Sequence, residues 1–209
     1  LVSYAGAEGS ANHIPGGLTE TATVTVATPV VDKVITTTNQ AHTAGNNVAI
    51  GEIVTYTVTV TVPEGQSAAT QLVDTLDAGL GFVDIVSVTA SSGALTSSVG
   101  TFAVVAAGTT FGSVGAGAVN AGRLMTINFG TLTNSDTNNA TDETLTIVYR
   151  AVVLNTATNI RGAGRNNSAG WNWTGGSVVD AAPNVTIVEP TLDVVKTMNP
   201  ASADAGDTV

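Results

Sequence analysis

Between Gly51 and Pro63 the chain reads EIVTYTVTVTV, a run in which every second residue is apolar and nearly every residue between is threonine. Side chains on a strand alternate faces, so Val54, Tyr56, Val58, Val60 and Val62 share one face and the threonines the other. That alternation marks a half-buried β-strand, and it commits the chain to a sheet with one face in a core.

The same period recurs along the chain. TQLVDTL puts Leu72, Asp74 and Leu76 on one side, and FVDIVSVTA follows the turn DAGLGF. RLMTINFG aligns Met125, Ile127 and Phe129, while TLTIVYRAVVL aligns Leu145, Ile147, Tyr149, Ala151 and Val153. In NNSAGWNW, Asn167, Ala169, Trp171 and Trp173 share parity. A Gly/Ser/Ala-rich region, 91–122, is expected to carry one further strand at TFAVVAA, and Ala181, Ala182 and Pro183 are expected to form a loop. Thr, Val, Ala, Gly and Asn dominate, and no helical period stands out. Short strands at this spacing, with no helices between them, predict an all-β, immunoglobulin-like sandwich.

The chain also repeats part of itself. VTVATPVVDKVI around Pro29 is echoed by VTIVEPTLDVVK around Pro190, and each segment carries one of the two lysines of the chain. Lys33 lies four residues after its proline and Lys196 six after its own, so in a strand both fall on the same apolar face, Lys33 with Val31 and Ile35. This predicts one complete module, residues 29–189, flanked by the tail of a preceding module (1–28) and the first strands of a following one (190–209) in a tandem array.

Six basic residues against sixteen acidic ones give a net charge of −10, which argues against nucleic acid or an anionic membrane surface as partner. No apolar stretch is long enough to span a membrane. The absence of cysteine leaves the compartment open. No nucleophile motif, phosphate loop or metal-ligand cluster is visible, so neither turnover catalysis nor a cofactor is expected. Oxygen-bearing residues from Asp136 to Glu143 have spacings that could hold Ca²⁺, but they lack the glycine of an EF-hand loop and read better as a polar hairpin. Sequons at Asn139, Asn166, Asn172 and Asn184 are common by chance in a Thr/Ser-rich chain. His13 and His42 are expected in solvated loops.

Three polar residues stand out because they fall on apolar faces: Lys33 on the first strand, Asp74 on the third, and Asn167 near the last. Singly, each has an ordinary role: Lys33 can reach the sheet edge, Asp74 can cap a turn, and Asn167 can bond backbone. Together they permit chemistry. Buried charges must pair, coordinate or neutralise. A lysine removed from water loses basicity and becomes a nucleophilic amine, an asparagine supplies a carboxamide carbon, and a buried aspartic acid can polarise the carbonyl and move protons. The product would be an intramolecular isopeptide bond with loss of ammonia. Asn166 and Asn172 are alternative electrophiles, and Glu52 and Glu143 weaker candidates for the acid.

The lysine after a proline-opened strand, the run GEIVTYTVTVTVPEG, the segment VDTLDAGLGFV and the segment NNSAGWNW resemble a known family. It comprises the isopeptide-forming, immunoglobulin-like repeats of bacterial cell-surface and fimbrial proteins, related to collagen-adhesin domains. The resemblance covers residues 29–189. It implies a bond between Lys33 and Asn167 assisted by Asp74, and a structural, extracellular role in a stalk, fibre or filament on a bacterial surface. Neighbouring modules or copies of the same protein would then be the partners. The alternative is an adhesin or carbohydrate-binding module. That reading needs a cleft or an aromatic platform, and aromatics make up only 4% of the chain, mostly at core positions.

Overall fold

A computed structural model of the chain describes residues 27–112, 122–138 and 140–189, with 194–197, 202 and 204–206 beyond them. The flanking segments expected from the repeat, 1–28 and 190–209, lie largely outside the described residues. Residues 194–197 belong to no strand and are exposed, Lys196 among them.

Alternating segments of β-branched and threonine residues become the strands. In chain order they are β1 (Val30–Thr38), β2 (Asn47–Val48), β3 (Ile53–Thr61), β4 (Gly65–Leu76), β5 (Leu80–Ala90) and β6 (Leu95–Ser97). A short helix α1 (Phe102–Ala107) precedes β7 (Thr110–Gly112), β8 (Leu124–Asn134), β9 (Thr144–Val153), β10 (Gly164–Trp173) and β11 (Gly176–Ile187). One sheet has the order β1-β3-β9-β5; the other runs β2-β11-β10-β4-β8-β6, with β7 also paired to β8. The two sheets bury a common core, and the chain is an all-β sandwich. Val54, Tyr56, Val58 and Val60 from β3 face Leu72 and Leu76 from β4, Met125, Ile127 and Phe129 from β8, and Trp171 from β10, all essentially without solvent contact. Phe129 and Trp171 pack with ring centroids 5.0 Å apart.

Two local expectations are corrected. TFAVVAA is a helix rather than a strand. Thr101 caps it by accepting a hydrogen bond from the Val104 amide, Gly108 ends it, and one side chain, Val105, is buried. A capping threonine followed by small residues suits one helical turn or two as well as it suits a strand. Ala181, Ala182 and Pro183 belong to β11 rather than to a loop. The β10–β11 register shifts between Arg165 and Asn167, opposite Ala182 and Val185, and this bulge accommodates a proline that cannot donate to a ladder.

A second irregularity fixes the parity of β4. Its pairing with β8 shifts on either side of Thr70, and Ala69 adopts φ 51°, a left-handed conformation that costs an alanine about 1 kcal/mol. Beyond that point Leu72, Asp74 and Leu76 all point inward.

The registers also define two poles. β1 starts beside the end of β3 (Val30 opposite Thr61), next to the turn that leads into β9, where the Val62 amide bonds Glu143 O. β11 ends at the other pole, where Ile187 pairs with Val48 in parallel. There Gly79 takes φ +104°, and a Cβ on it would lie 2.2 Å from the Asn159 side chain, which bonds the carbonyls of Gly79 and Leu154. Only glycine fits that turn.

Candidate functional site: a buried lysine, carboxyl and carboxamide

Register brings the site together from both sheets. In the first sheet Lys33 on β1 pairs with Val58 of β3, one inward-facing position from Tyr56, and Tyr56 pairs directly with Tyr149 of β9. In the second sheet Asp74 on β4 lies opposite Ala169 of β10, and Asn167 lies opposite Leu76, so acid and amide are diagonal neighbours on the inward face. Lys33, Asp74 and Asn167, all singled out in the sequence, therefore meet between the sheets. Their exposures are 2%, 0% and 1%, which separates them from bulk solvent.

The Lys33 Nζ donates to Asp74 Oδ2 at 2.5 Å and to Asn167 Oδ1 at 2.6 Å. Tyr149 Oη donates to the same Asp74 oxygen at 2.6 Å and accepts from Asn167 Nδ2 at 2.8 Å. Two aromatic rings wall the lysine: Tyr56 and Tyr149 stack at 5.6 Å, and Nζ lies 5.5 Å and 5.6 Å from their centroids. Asp74 Oδ1 and the Tyr56 hydroxyl are buried without a hydrogen-bond partner in the protein. From β11, the Asp180 carboxylate accepts the backbone N–H of Lys33 at 2.7 Å and ties the first strand of one sheet to an outer strand of the other.

The electrostatics shift both groups toward their neutral forms. Burial lowers the Lys33 amine from 10.5 to about 8 despite the opposing pull of Asp74. Burial likewise raises the Asp74 carboxyl, against the stabilising charge of Lys33. Both shifts move the pair from ammonium and carboxylate toward amine and carboxylic acid. A neutral amine beside a carboxamide, with an acid in contact, is the starting arrangement for aminolysis. The amide carbon lies one bond beyond the oxygen that Nζ now touches.

The other sequence candidates lie elsewhere. Asn166 bonds Asn184, and Asn172 bonds the Gly170 carbonyl. Glu52 is buried near one pole, where it accepts from Thr43 and from the Ala49 amide. Glu143 accepts from Asn134 at the other pole. No cluster of three or more His, Cys, Asp or Glu able to hold a metal occurs among the described residues. Sequence reading missed Tyr149, Tyr56 and Asp180. The tyrosines sit at regular core positions of their strands, so parity flagged them as filling; only the pairing of β3 with β9 places their hydroxyls at the polar group.

No protein-family model matches the sequence, and no curated protein matches it. Among solved structures, it is similar to the pilus backbone protein RrgB of Streptococcus pneumoniae, with 19% identity, 70% of this chain and 31% of that one covered, and a TM-score of 0.44. It is similar to BcpA, the major pilin subunit of Bacillus cereus, with 13% identity, 77% and 40% covered, and a TM-score of 0.44. It is also similar to domains D2 and D3 of the major pilin SpaD of Corynebacterium diphtheriae, with 16% identity, 74% and 50% covered, and a TM-score of 0.40. The chain thus spans half or less of the length of each solved structure it resembles.

Proposed function

We propose that the chain is a structural module of an extracellular bacterial fibre or stalk, closed internally by an isopeptide bond between Lys33 and Asn167, with Asp74 as the assisting acid. The observation that carries this reading is the buried contact of an amine, a carboxyl and a carboxamide drawn from three different strands. Burying an ion pair gains little stability over an apolar core. A covalent bond gives such a costly constellation a purpose.

Intact-mass measurement of the purified chain tests it. The wild-type mass is expected to fall below the sequence mass by one ammonia, and Lys33→Ala or Asp74→Ala to restore the full mass. Digestion should release the Lys33 and Asn167 peptides as one branched species. A wild-type mass equal to the sequence mass would eliminate the bond, and a branch at Asn166 or Asn172 would reassign it.

Residues 29–189 act in this proposal as one unit of a tandem array. β1 begins at one pole and β11 ends at the other, so successive units would lie end to end, with Pro29 and Pro190 restricting the joints. Small-angle scattering from two units in tandem should give a rod about twice the length of one; a broad distribution of inter-unit angles would contradict the array. A sugar-binding role finds less support. A cleft of about 490 Å³ opens near Glu64, Asn134 and Glu143, but no aromatic ring lines it. Trp171 is buried in the core, and Trp173 is partly buried against it.

A further inference from the structure

Asp74 makes no hydrogen bond to the atom that must leave. Its Oδ2 is bonded to Lys33 and to Tyr149, while Asn167 Nδ2, the nitrogen expelled as ammonia, donates to the Tyr149 hydroxyl. The acid and the leaving group are therefore joined through a phenol, at 2.6 Å on one side and 2.8 Å on the other. We propose that Tyr149 is a catalytic residue of the cross-linking reaction, relaying a proton from Asp74 to the departing nitrogen of Asn167. This rests on the isopeptide reading given above.

The chemistry explains why the relay would run in that direction. In the resting site the planar amide nitrogen has no available lone pair and can only donate, so the phenol accepts from it and donates to Asp74. Attack of the neutral Lys33 amine on Cγ forms the new C–N bond and moves the carbonyl π pair to Oδ1. The carbon becomes tetrahedral, and Nδ2 becomes an amine with a lone pair. The hydrogen-bond chain can then reverse: Nζ, positively charged after attack, gives a proton to Asp74 Oδ2, and Tyr149 takes a proton from that oxygen as it gives its own to Nδ2. The Cγ–Nδ2 bond breaks, ammonia leaves with the bonding pair, and Oδ1 reforms the carbonyl. Asp74 and Tyr149 end as they began, and one amide and one ammonia replace an amine and a carboxamide. Burial and the neighbouring Asp74 raise Tyr149 well above an ordinary phenol, so it enters the reaction carrying its proton.

Tyr149→Phe tests the relay, because it keeps the ring that stacks on Tyr56 and packs against Phe82 and removes only Oη. Ser97→Ala is the control, since it removes a bonded hydroxyl on β6 that lies outside the site. Both would be followed with the wild type by intact mass at intervals after cell-free synthesis. Tyr149→Phe is expected to lose ammonia about 100-fold more slowly or not at all, in the range of general acid–base contributions. Ser97→Ala is expected to match the wild type. Ammonia loss from Tyr149→Phe at the wild-type rate would overturn the relay and leave the bond standing, whereas a wild-type chain that retains its ammonia would remove both. Mixed light and heavy water supplies a readout needing no variant: two protons moving together give the wild-type rate a curved dependence on deuterium content, and a straight line would overturn the relay.

Discussion

Asn167→Ala is expected to lower the midpoint of thermal unfolding by about 10–20 °C. The proposed bond joins residues separated by 134 positions, so it closes a large loop in the unfolded chain. On the chain-entropy account developed for disulfides, a loop of that size removes about 5 kcal/mol of unfolded-state freedom. In a chain of this length each kcal/mol shifts the midpoint by about 2–4 °C. The alanine also leaves the Lys33 amine in the core with Asp74 as its side-chain hydrogen-bond partner, which adds to the loss without changing its order. Scanning calorimetry alongside intact mass checks this. A variant that lacks the bond yet melts within about 3 °C of the wild type would show that the cross-link does not carry the stability assigned to it.

Asp74→Leu is expected to cost more, because it does two kinds of damage. Without the acid the bond does not form, and Lys33 is left between two tyrosine rings with no anion in contact. Breaking a buried pair from one side typically costs about 3–5 kcal/mol. Added to the lost loop closure, the total reaches about 8–10 kcal/mol, comparable with the entire stability of many domains. The variant should therefore unfold at a far lower urea concentration than Asn167→Ala, or fail to accumulate. Lys33→Met combined with Asp74→Leu removes both charges and fills the space with apolar atoms, and should recover about 3–5 kcal/mol relative to Asp74→Leu alone. A double variant no more stable than the single one would mean that the unpaired Lys33 is not what makes Asp74→Leu costly.

Much of the fold was legible because its strands are half-buried and therefore alternate. Leu145, Ile147, Tyr149, Ala151 and Val153 were assigned to one face and are all in the core, as are the inward residues of β3. The same parity isolated Lys33, Asp74 and Asn167, since a polar residue on an apolar face breaks a pattern. The misses have one cause: they depend on partners distant in sequence. α1 exists because Thr101 caps it and Val105 finds the core, in a segment whose composition suits either element. β11 pairs with β10 across a bulge at Pro183, which in isolation reads as a breaker. Tyr149 looks like any core aromatic until β3 and β9 are set in register. Asp180 becomes informative only where β11 passes Lys33, because its partner is a backbone amide and leaves no trace in composition.

The placement of the start of β1 and the end of β11 at opposite poles has a mechanical consequence. In the proposed fibre a pull would enter at Val30 and leave at Ile187, so β1 and β11 would be loaded first and in shear. Without a covalent link, peeling β1 away would let the whole sandwich pay out as extended chain, on the order of 500 Å. With Lys33 joined to Asn167, force crosses from β1 to β10 through one side chain, and everything between those residues hangs as an unloaded loop. Only the last roughly twenty residues, through β10 and β11, could then lengthen, by roughly 70 Å at most. Such a module would behave under tension less like a spring than like a link in a chain.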